Sequence, residues 1–207
     1  MTERVEGSLF IISAPSGTGK TSLVKCLVDS LDDIQVSVSH TTRPKREGEI
    51  DGVNYHFVEH SLFEHMIQSN GFLEYAEVYE HYYGTSKEWV AQTLKQGIDV
   101  VLEIEWQGAK QVKRYFPDAK TIFVLPPNAS SLQQRLRDRG KDHETIIDKR
   151  LKSARKEVQY CVDYQYIVVN DEFDKALSDL QAIVRAERCS SKQQMARYRS
   201  LIEAMTD

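Results

Sequence analysis

The sequence predicts an α/β fold in which a parallel sheet is flanked by helices. Apolar, strand-like runs alternate with helical patterns along the chain, and the first run leads through a glycine-rich turn directly into a helix. The interval 37–97 is too long for a simple crossover between parallel strands, so it reads as an inserted lobe. The interval 126–157 reads as a basic helical pair set between two strands. One domain of 207 residues is expected, its core made of 8–36, 98–125 and 158–207.

Leu9–Ile12 is apolar throughout, as a buried strand should be, and Ser22–Leu31 follows as a helix. Between them Ala14-Pro15-Ser16-Gly17-Thr18-Gly19-Lys20-Thr21 matches G-x-x-x-x-G-K-[ST], except that Ala14 replaces the first glycine. Glycines at 17 and 19 let successive N–H groups turn inward toward phosphate oxygens, and the helix adds its unpaired N-terminal donors. Lys20 is placed to reach the β- and γ-phosphates and Thr21 to ligate Mg²⁺. A plain glycine turn beside a surface lysine is the competing reading, and it leaves the strand, the helix and the adjacent hydroxyl unexplained. The loop is a nucleoside-triphosphate site.

Gln35–Ser39 is expected as a second strand, with Val36 and Val38 on one face. The polar loop from His40 to Tyr55 then carries Arg43 and Arg46, three apart among threonines and glycines. That pair suits either a bidentate phosphate contact or a solvated charged turn. Ser61 and Glu64 form the pattern of a capping box, opening a helix with Leu62, Phe63, Met66 and Ile67 on its core face and Gly71 at its end. Ser86 or Thr85 caps a further short helix that closes at Gly97.

Ile98–Glu105 reads as a central strand with Glu103 and Glu105 on one face at its C-terminal end. Carboxylates there suit Mg²⁺ held through water, or equally ion pairs with Lys110 or Lys113. Thr121–Leu125 is the next strand, stopped by two prolines. Ser130 or Ser131 starts a helix bearing Arg135, Arg137 and Arg139, closed at Gly140, and Glu144–Tyr160 forms its partner with Lys149, Arg150, Lys152 and Arg155. A basic helix is usually a solvated face, but beside a phosphate loop this pair suits a lid. Tyr166–Val169 is the last strand, and Phe173, Leu177, Leu180 and Val184 set one face of a helix reaching Arg188. The tail after Cys189 is helical in pattern and weakly apolar, which allows a self-association surface without showing one.

Composition narrows the classes. The formal net charge is -4, with both signs mixed, so bulk nucleic-acid or anionic-membrane binding is not expected. No apolar run is long enough for a signal peptide or a membrane span. Cys26, Cys161 and Cys189 are far apart with no metal-ligand spacing, which fits reduced thiols in the cytoplasm.

In order, the motifs SAPSGTGKTSL at 13–23, VSVSHTTRPKREGEIDGVNYHF at 36–57, FLEYAEV at 72–78, YYGTS at 82–86, EIEWQGA at 103–109, and FVLPP followed by RLRDRG and KRL resemble guanylate kinase, most of all its bacterial form. The resemblance implies a P-loop NTPase-type core with a GMP-binding lobe at 37–97 and a helical lid at 126–157. It implies transfer of the γ-phosphoryl group of ATP to GMP, giving ADP and GDP, with Mg²⁺, in purine nucleotide metabolism. Arg43, Arg46, Tyr55 and Tyr83 match the positions that hold the GMP phosphate, and Ser39, Glu74 and Thr85 those around the guanine. Arg135, Arg139 and Arg150 match the lid and hinge arginines, and Asn170 falls near the adenine of ATP. Glu103 and Glu105 stand where the family usually has Asp-x-Asp, each arm one methylene longer, and they carry over as GMP contacts, with Glu103 also toward the metal. Deoxy-GMP is a further expected acceptor.

The chemistry agrees with the base assignment. An ionised Glu74 can accept from both N1–H and the 2-amino group of guanine, whereas adenine would leave the carboxylate unpaired. The main alternative is a non-catalytic guanylate-kinase-like interaction module. Such modules lose the loop lysine and lid arginines, and here Lys20, Thr21, Arg135, Arg139 and Arg150 are all present. A kinase of the same fold for another monophosphate is a second rival, opposed by the base contacts. A regulatory GTPase is a third, opposed by the lack of an N-K-x-D motif after the loop.

Overall fold

A computed structural model describes residues 5–78, 80–138 and 144–206. Its centre is the strand β1 (Leu9–Ser13), buried at every position and followed by the loop and helix α1 (Lys20–Ser30). Strands β2 (Ile34–Val36), β7 (Asp99–Glu103), β8 (Lys120–Leu125) and β9 (Tyr166–Val169) complete a parallel sheet in the order β2-β7-β1-β8-β9. Between β2 and β7 the chain forms β3 (His40–Thr41), β4 (His56–Phe57), helix α2 (His60–Gln68), β5 (Phe72–Val78), β6 (His81–Ser86) and helix α3 (Lys87–Lys95). Those four strands make a second sheet, ordered β4-β3-β6-β5.

Alternate residues of β1 serve two cores. Phe10 and Ile12 pack with Leu23, Val24 and Leu27 of α1, and with Ala176, Leu180 and Val184 of α7 (Phe173–Arg188). Leu9 and Ile11 pack on the other face with Val90 and Leu94 of α3, and with Ala109 and Val112 of α4 (Trp106–Tyr115). Each large apolar side chain so buried contributes roughly 1.5–3 kcal/mol. The phosphate loop therefore hangs from the most deeply held strand of the molecule. At the opposite end of the sheet, Asp99 accepts from the Ser8 N–H at 2.6 Å and from Arg188 Nε at 2.8 Å, and Arg188 Nη2 donates to the Asp32 carbonyl at 2.7 Å. This clamp joins α7 to the starts of β1 and β7.

Helices α5 (Ala129–Asp138) and α6 (Glu144–Val158) stand between β8 and β9. Leu132 and Leu136 meet Ile147, Leu151 and Ala154 in a small core of their own. A 3-10 turn, Gln159–Asp163, leads back to β9. Tyr160 there stacks on Trp106, with ring centroids 3.7 Å apart, and so ties the pair to α4. Helices α8 (Ser191–Arg197) and α9 (Arg199–Thr206) form the tail, with Leu201, Ile202 and Met205 exposed.

Several boundaries differ from the sequence reading. The second strand stops at Val36: the Ser37 N–H makes the last bond to β7, at the Val101 carbonyl, and by Ser39 the chain bonds to His56 in the other sheet. The strand expected at Ile98–Glu105 is limited to Asp99–Glu103. The capping box does not form: α2 begins at His60 with Glu59 as N-cap, so Ser61 already lies inside the helix. Of its expected face only Phe63 is buried, while Leu62 is half exposed. Asn70, not Gly71, adopts the left-handed conformation that closes the helix, at φ 55°, with the Gly71 N–H reaching back to Met66. Ser86 caps α3 as expected, accepting from the Trp89 N–H. The start of α5 is capped by Asn128, which accepts from the Ser131 N–H at 2.8 Å, rather than by a serine. Phe173 is 37% exposed, and Ala176 takes its place on the buried face of α7. The helix closure expected at Gly140 lies outside the described residues.

Candidate active site

The loop has the shape its glycines imply. Gly17 and Gly19 have φ of 90° and 89°, a region open to glycine and strained for other residues. Ala14, Pro15, Gly17 and Thr18 are buried, Gly19 and Lys20 half-buried, and Ser16 and Thr21 exposed. The Thr18 hydroxyl donates to the Pro15 carbonyl and closes the turn from inside. Gly19 is the N-cap of α1 and supplies no capping side chain. The first N–H groups of α1 are thus left for an anion.

At the C-terminal end of β7, Thr21 Oγ1 donates to Glu103 Oε1 at 2.5 Å. This joins the loop to the neighbouring strand. The expected lysine partners are occupied elsewhere: Lys110 pairs with Asp163 at 3.7 Å, and Lys113 donates to the Pro117 and Ala119 carbonyls. Among the described residues no three His, Cys, Asp or Glu side chains cluster to hold a metal. A hydroxyl and a single carboxylate, both hard oxygen donors, instead fit Mg²⁺, which keeps phosphate oxygens and waters for its other positions.

The second sheet gathers the phosphate-type residues. Arg43 is nearly buried and lies 5.5 Å from the Tyr55 ring centroid and 5.6 Å from that of Phe57. Tyr55 meets Tyr83 edge to face at 5.8 Å. Glu49 accepts from Arg43 Nη2 at 2.6 Å and from the Arg46 N–H at 2.8 Å. That hydrogen bond is the main cause holding the Arg43 guanidinium above, and the Glu49 carboxyl below, their ordinary values. Burial first, then the charge of Tyr83 and of Glu103, pushes the Tyr55 hydroxyl up. Glu103 therefore faces both the phosphate loop and the tyrosine pair.

Deeper in that lobe, Thr85 Oγ1 donates to Glu74 Oε1 at 2.6 Å, from the directly paired position on β6. A bulge between Phe72 and Glu74 explains three buried residues in a row: Phe72 stacks on Phe63, Leu73 enters the main core, and Glu74 turns to Thr85. Gly84 belongs to the same packing, since a Cβ there would lie 2.8 Å from the Phe72 ring. Burial pushes the Glu74 carboxyl above its ordinary range, the Thr85 hydrogen bonds oppose this, and Glu105 adds to the rise. Ser39 is half-buried with its carbonyl taken by the His56 N–H, and Arg46 and Glu105 are exposed.

The helical pair reaches the loop. Leu132 and Leu136 lie over Gly17, where an added Cβ would come within 3.1 Å and 2.8 Å of them. Arg135 Nη1 donates to the Thr18 carbonyl at 3.3 Å and Nη2 to the Asn170 carbonyl at 3.0 Å. Asn170 is buried, gives Nδ2 to the Thr18 carbonyl at 2.7 Å, and leaves Oδ1 without a partner among the described residues. Arg150 is half-buried on α6. Arg139 lies outside the described residues. Glu157 is near enough to Lys20 and Glu105 for each charge to act on its carboxyl, which burial pushes up.

Glu49 was not among the residues the sequence suggested. Its signal was an acid three residues after Arg46, but Glu47 and Asp51 beside it are acids too, so nothing local singled it out. Glu157 had no local signal, because only the return of α6 across the sheet brings it to Lys20.

A parallel sheet whose central strand carries an uncapped glycine loop, with an acidic strand end beside the loop threonine, defines a P-loop nucleotide kinase. The model of the guanylate kinase family matches residues 6–187, and the chain belongs to that family. It is 52% identical over 199 residues to a guanylate kinase of Saccharophagus degradans, spanning 96% of this chain and 97% of the relative. It is 51% identical over 201 residues to one of Acinetobacter baylyi, spanning 97% of each. In structure it is similar to the crystal structure of guanylate kinase from Anaplasma phagocytophilum, with a TM-score of 0.77, 27% identity, and coverage of 97% and 95%. None of these matches supports the interaction-module alternative. No helix among the described residues is long and apolar enough to cross a membrane.

Proposed function

We infer that the chain transfers the γ-phosphoryl group of ATP to GMP, giving ADP and GDP. The observation that carries this reading is the position of Glu103, bonded to Thr21 of the phosphate loop at 2.5 Å and close enough to Tyr55 to act on its hydroxyl. A donor site and an acceptor site thereby share one wall.

Residues 14–21 cradle the ATP phosphates, with the N–H groups of Gly17 and Gly19 and the end of α1 as donors and Lys20 at the β- and γ-positions. The buried Oδ1 of Asn170, unpartnered among the described residues, supports its place near adenine, where it would accept from the amino group. Thr21 and, through water, Glu103 would hold Mg²⁺, which neutralises phosphate charge when bound. Arg43, Arg46, Tyr55 and Tyr83 hold the GMP phosphate, with Glu49 fixing the Arg43 fork. Ser39, Glu74, Thr85 and Glu105 surround guanine.

One GMP phosphate oxygen attacks the γ-phosphorus in line. The new P–O bond forms as the bond to the β,γ-bridging oxygen breaks, and ADP leaves with that electron pair. No enzyme group becomes covalently attached, so catalysis is positioning and charge neutralisation by Lys20, Arg43, Arg135, Arg139 and Arg150. We assign 37–97 as the GMP-binding lobe and 126–157 as the lid. Their closure over the core excludes water, so transfer outruns hydrolysis of ATP. The compartment proposed is the cytoplasm, where ATP and GMP are supplied and three free cysteines stay reduced.

Product analysis by ³¹P NMR tests the reaction. Equal amounts of ADP and GDP from Mg·ATP and GMP are expected, and ADP with free phosphate but no GDP would overturn it.

A further inference from the structure

We propose that one face of α4, formed by Gly108 and Gln111, is the specificity wall of the base site: it sets where the Glu74 carboxylate sits. The inference rests on the reading that Glu74 accepts from guanine, and it adds two residues with no chemistry of their own in phosphoryl transfer.

Gly108 and Gln111 are three apart, on one face of the helix. A Cβ built on Gly108 would lie 2.6 Å from Glu74 Oε2, 3.1 Å from its carboxyl carbon and 3.4 Å from Cγ. The backbone of α4 is thus the wall against one carboxylate oxygen, while Thr85 holds the other at 2.6 Å. Any side chain at 108 must push Oε2 away, and the carboxylate then pivots off Thr85. One turn on, Gln111 accepts from the Tyr75 N–H at 3.2 Å and donates Nε2 to the Tyr75 carbonyl at 3.1 Å. β5 is an edge strand, and this amide satisfies both free backbone groups of the residue next to Glu74.

The arrangement has a mechanical meaning. α4 begins at Trp106, just beyond Glu103 and Glu105 at the end of β7. The chain running from β7 into α4 therefore carries first the carboxylates of the phosphate end and then the wall of the base end. Only Ile104 and Glu105 separate the end of β7 from the start of α4, so the connection between the two ends is short.

The test compares steady-state kinetics on GMP and on inosine monophosphate, which lacks the 2-amino group that Glu74 would accept from. Gly108→Ala gains helix propensity and loses the Glu74–Thr85 bond, two effects of about 1 kcal/mol and opposite sign, so its thermal midpoint should change little. Its KM for GMP should nonetheless rise about tenfold and its preference for GMP over inosine monophosphate fall by a similar factor, the share of about one charge-assisted hydrogen bond. Gln111→Met, with similar length and no amide, should shift both quantities in the same direction, and KM for Mg·ATP should not move in either variant. Glu74→Gln is run beside them. If it collapses the GMP preference while Gly108→Ala and Gln111→Met keep it, the wall is overturned and the guanine reading survives. If Glu74→Gln itself keeps the preference, the guanine reading fails and the wall falls with it. Should Gly108→Ala not fold, Gln111→Met decides alone by the same criterion.

Discussion

Replacing Glu74 by glutamine tests the base site with almost no change of shape. The side chain keeps its length and one acceptor, so the 2.6 Å bond from Thr85 can survive through the amide oxygen. What changes is the second position, where an acceptor becomes an NH₂ donor facing the donors of guanine. A charge-assisted hydrogen bond is lost and a donor–donor contact is created, together about 2–4 kcal/mol. At 1.36 kcal/mol per decade this is about a 30- to 900-fold loss in kcat/KM for GMP. The assay is coupled ADP release at varied GMP and saturating Mg·ATP, with KM for ATP as the internal control. A loss below about twofold, smaller than one neutral hydrogen bond can be worth, would refute the assignment.

Three further outcomes are expected. Asn170→Ala removes the 2.7 Å bond to the Thr18 carbonyl and should raise KM for Mg·ATP about 2- to 13-fold while leaving KM for GMP unchanged; equal effects on both would contradict it. Because the Glu74 carboxyl is raised in the unliganded protein, its protonated form is favoured there, and any stability it adds is present at low pH and lost as pH rises through the raised value. GMP needs the ionised form, so binding should release protons and tighten as pH rises above the ordinary carboxylate range; calorimetry in two buffers of different ionisation heat would show it, and a buffer-independent heat would contradict it. Asp99→Asn breaks the clamp on Arg188 and should cost about 2–4 kcal/mol, lowering the thermal midpoint by about 5–15 °C, and an unchanged midpoint would count against the clamp.

What the sequence disclosed follows from how local each signal is. β1, the loop and α7 are written in contiguous patterns, and their boundaries fall within two residues of expectation. Val38 misled because β-type alternation continues past Val36, while the Ser37 N–H makes the last bond to β7 and the Ser39 carbonyl already accepts from His56 of the second sheet. Ser61 misled because a capping box can be read in either of two registers, and the one Ser61 requires is already helical. In the site, Arg43, Tyr55 and Tyr83 lie together, as do Glu74 with Thr85 and Thr21 with Glu103. The contacts of Gly108 with Glu74 and of Asp99 with Arg188 leave no trace in periodicity, because each joins elements far apart in the chain. Such pairs are set by how the two sheets meet, which no single stretch encodes.

The central claim is that phosphoryl transfer is directed to guanine monophosphate. Coupled ADP release with Mg·ATP against GMP, AMP, CMP, UMP and dTMP tests it most directly. Strong turnover with GMP alone is the expected result. Comparable turnover with every monophosphate, or none with a folded protein, would contradict it.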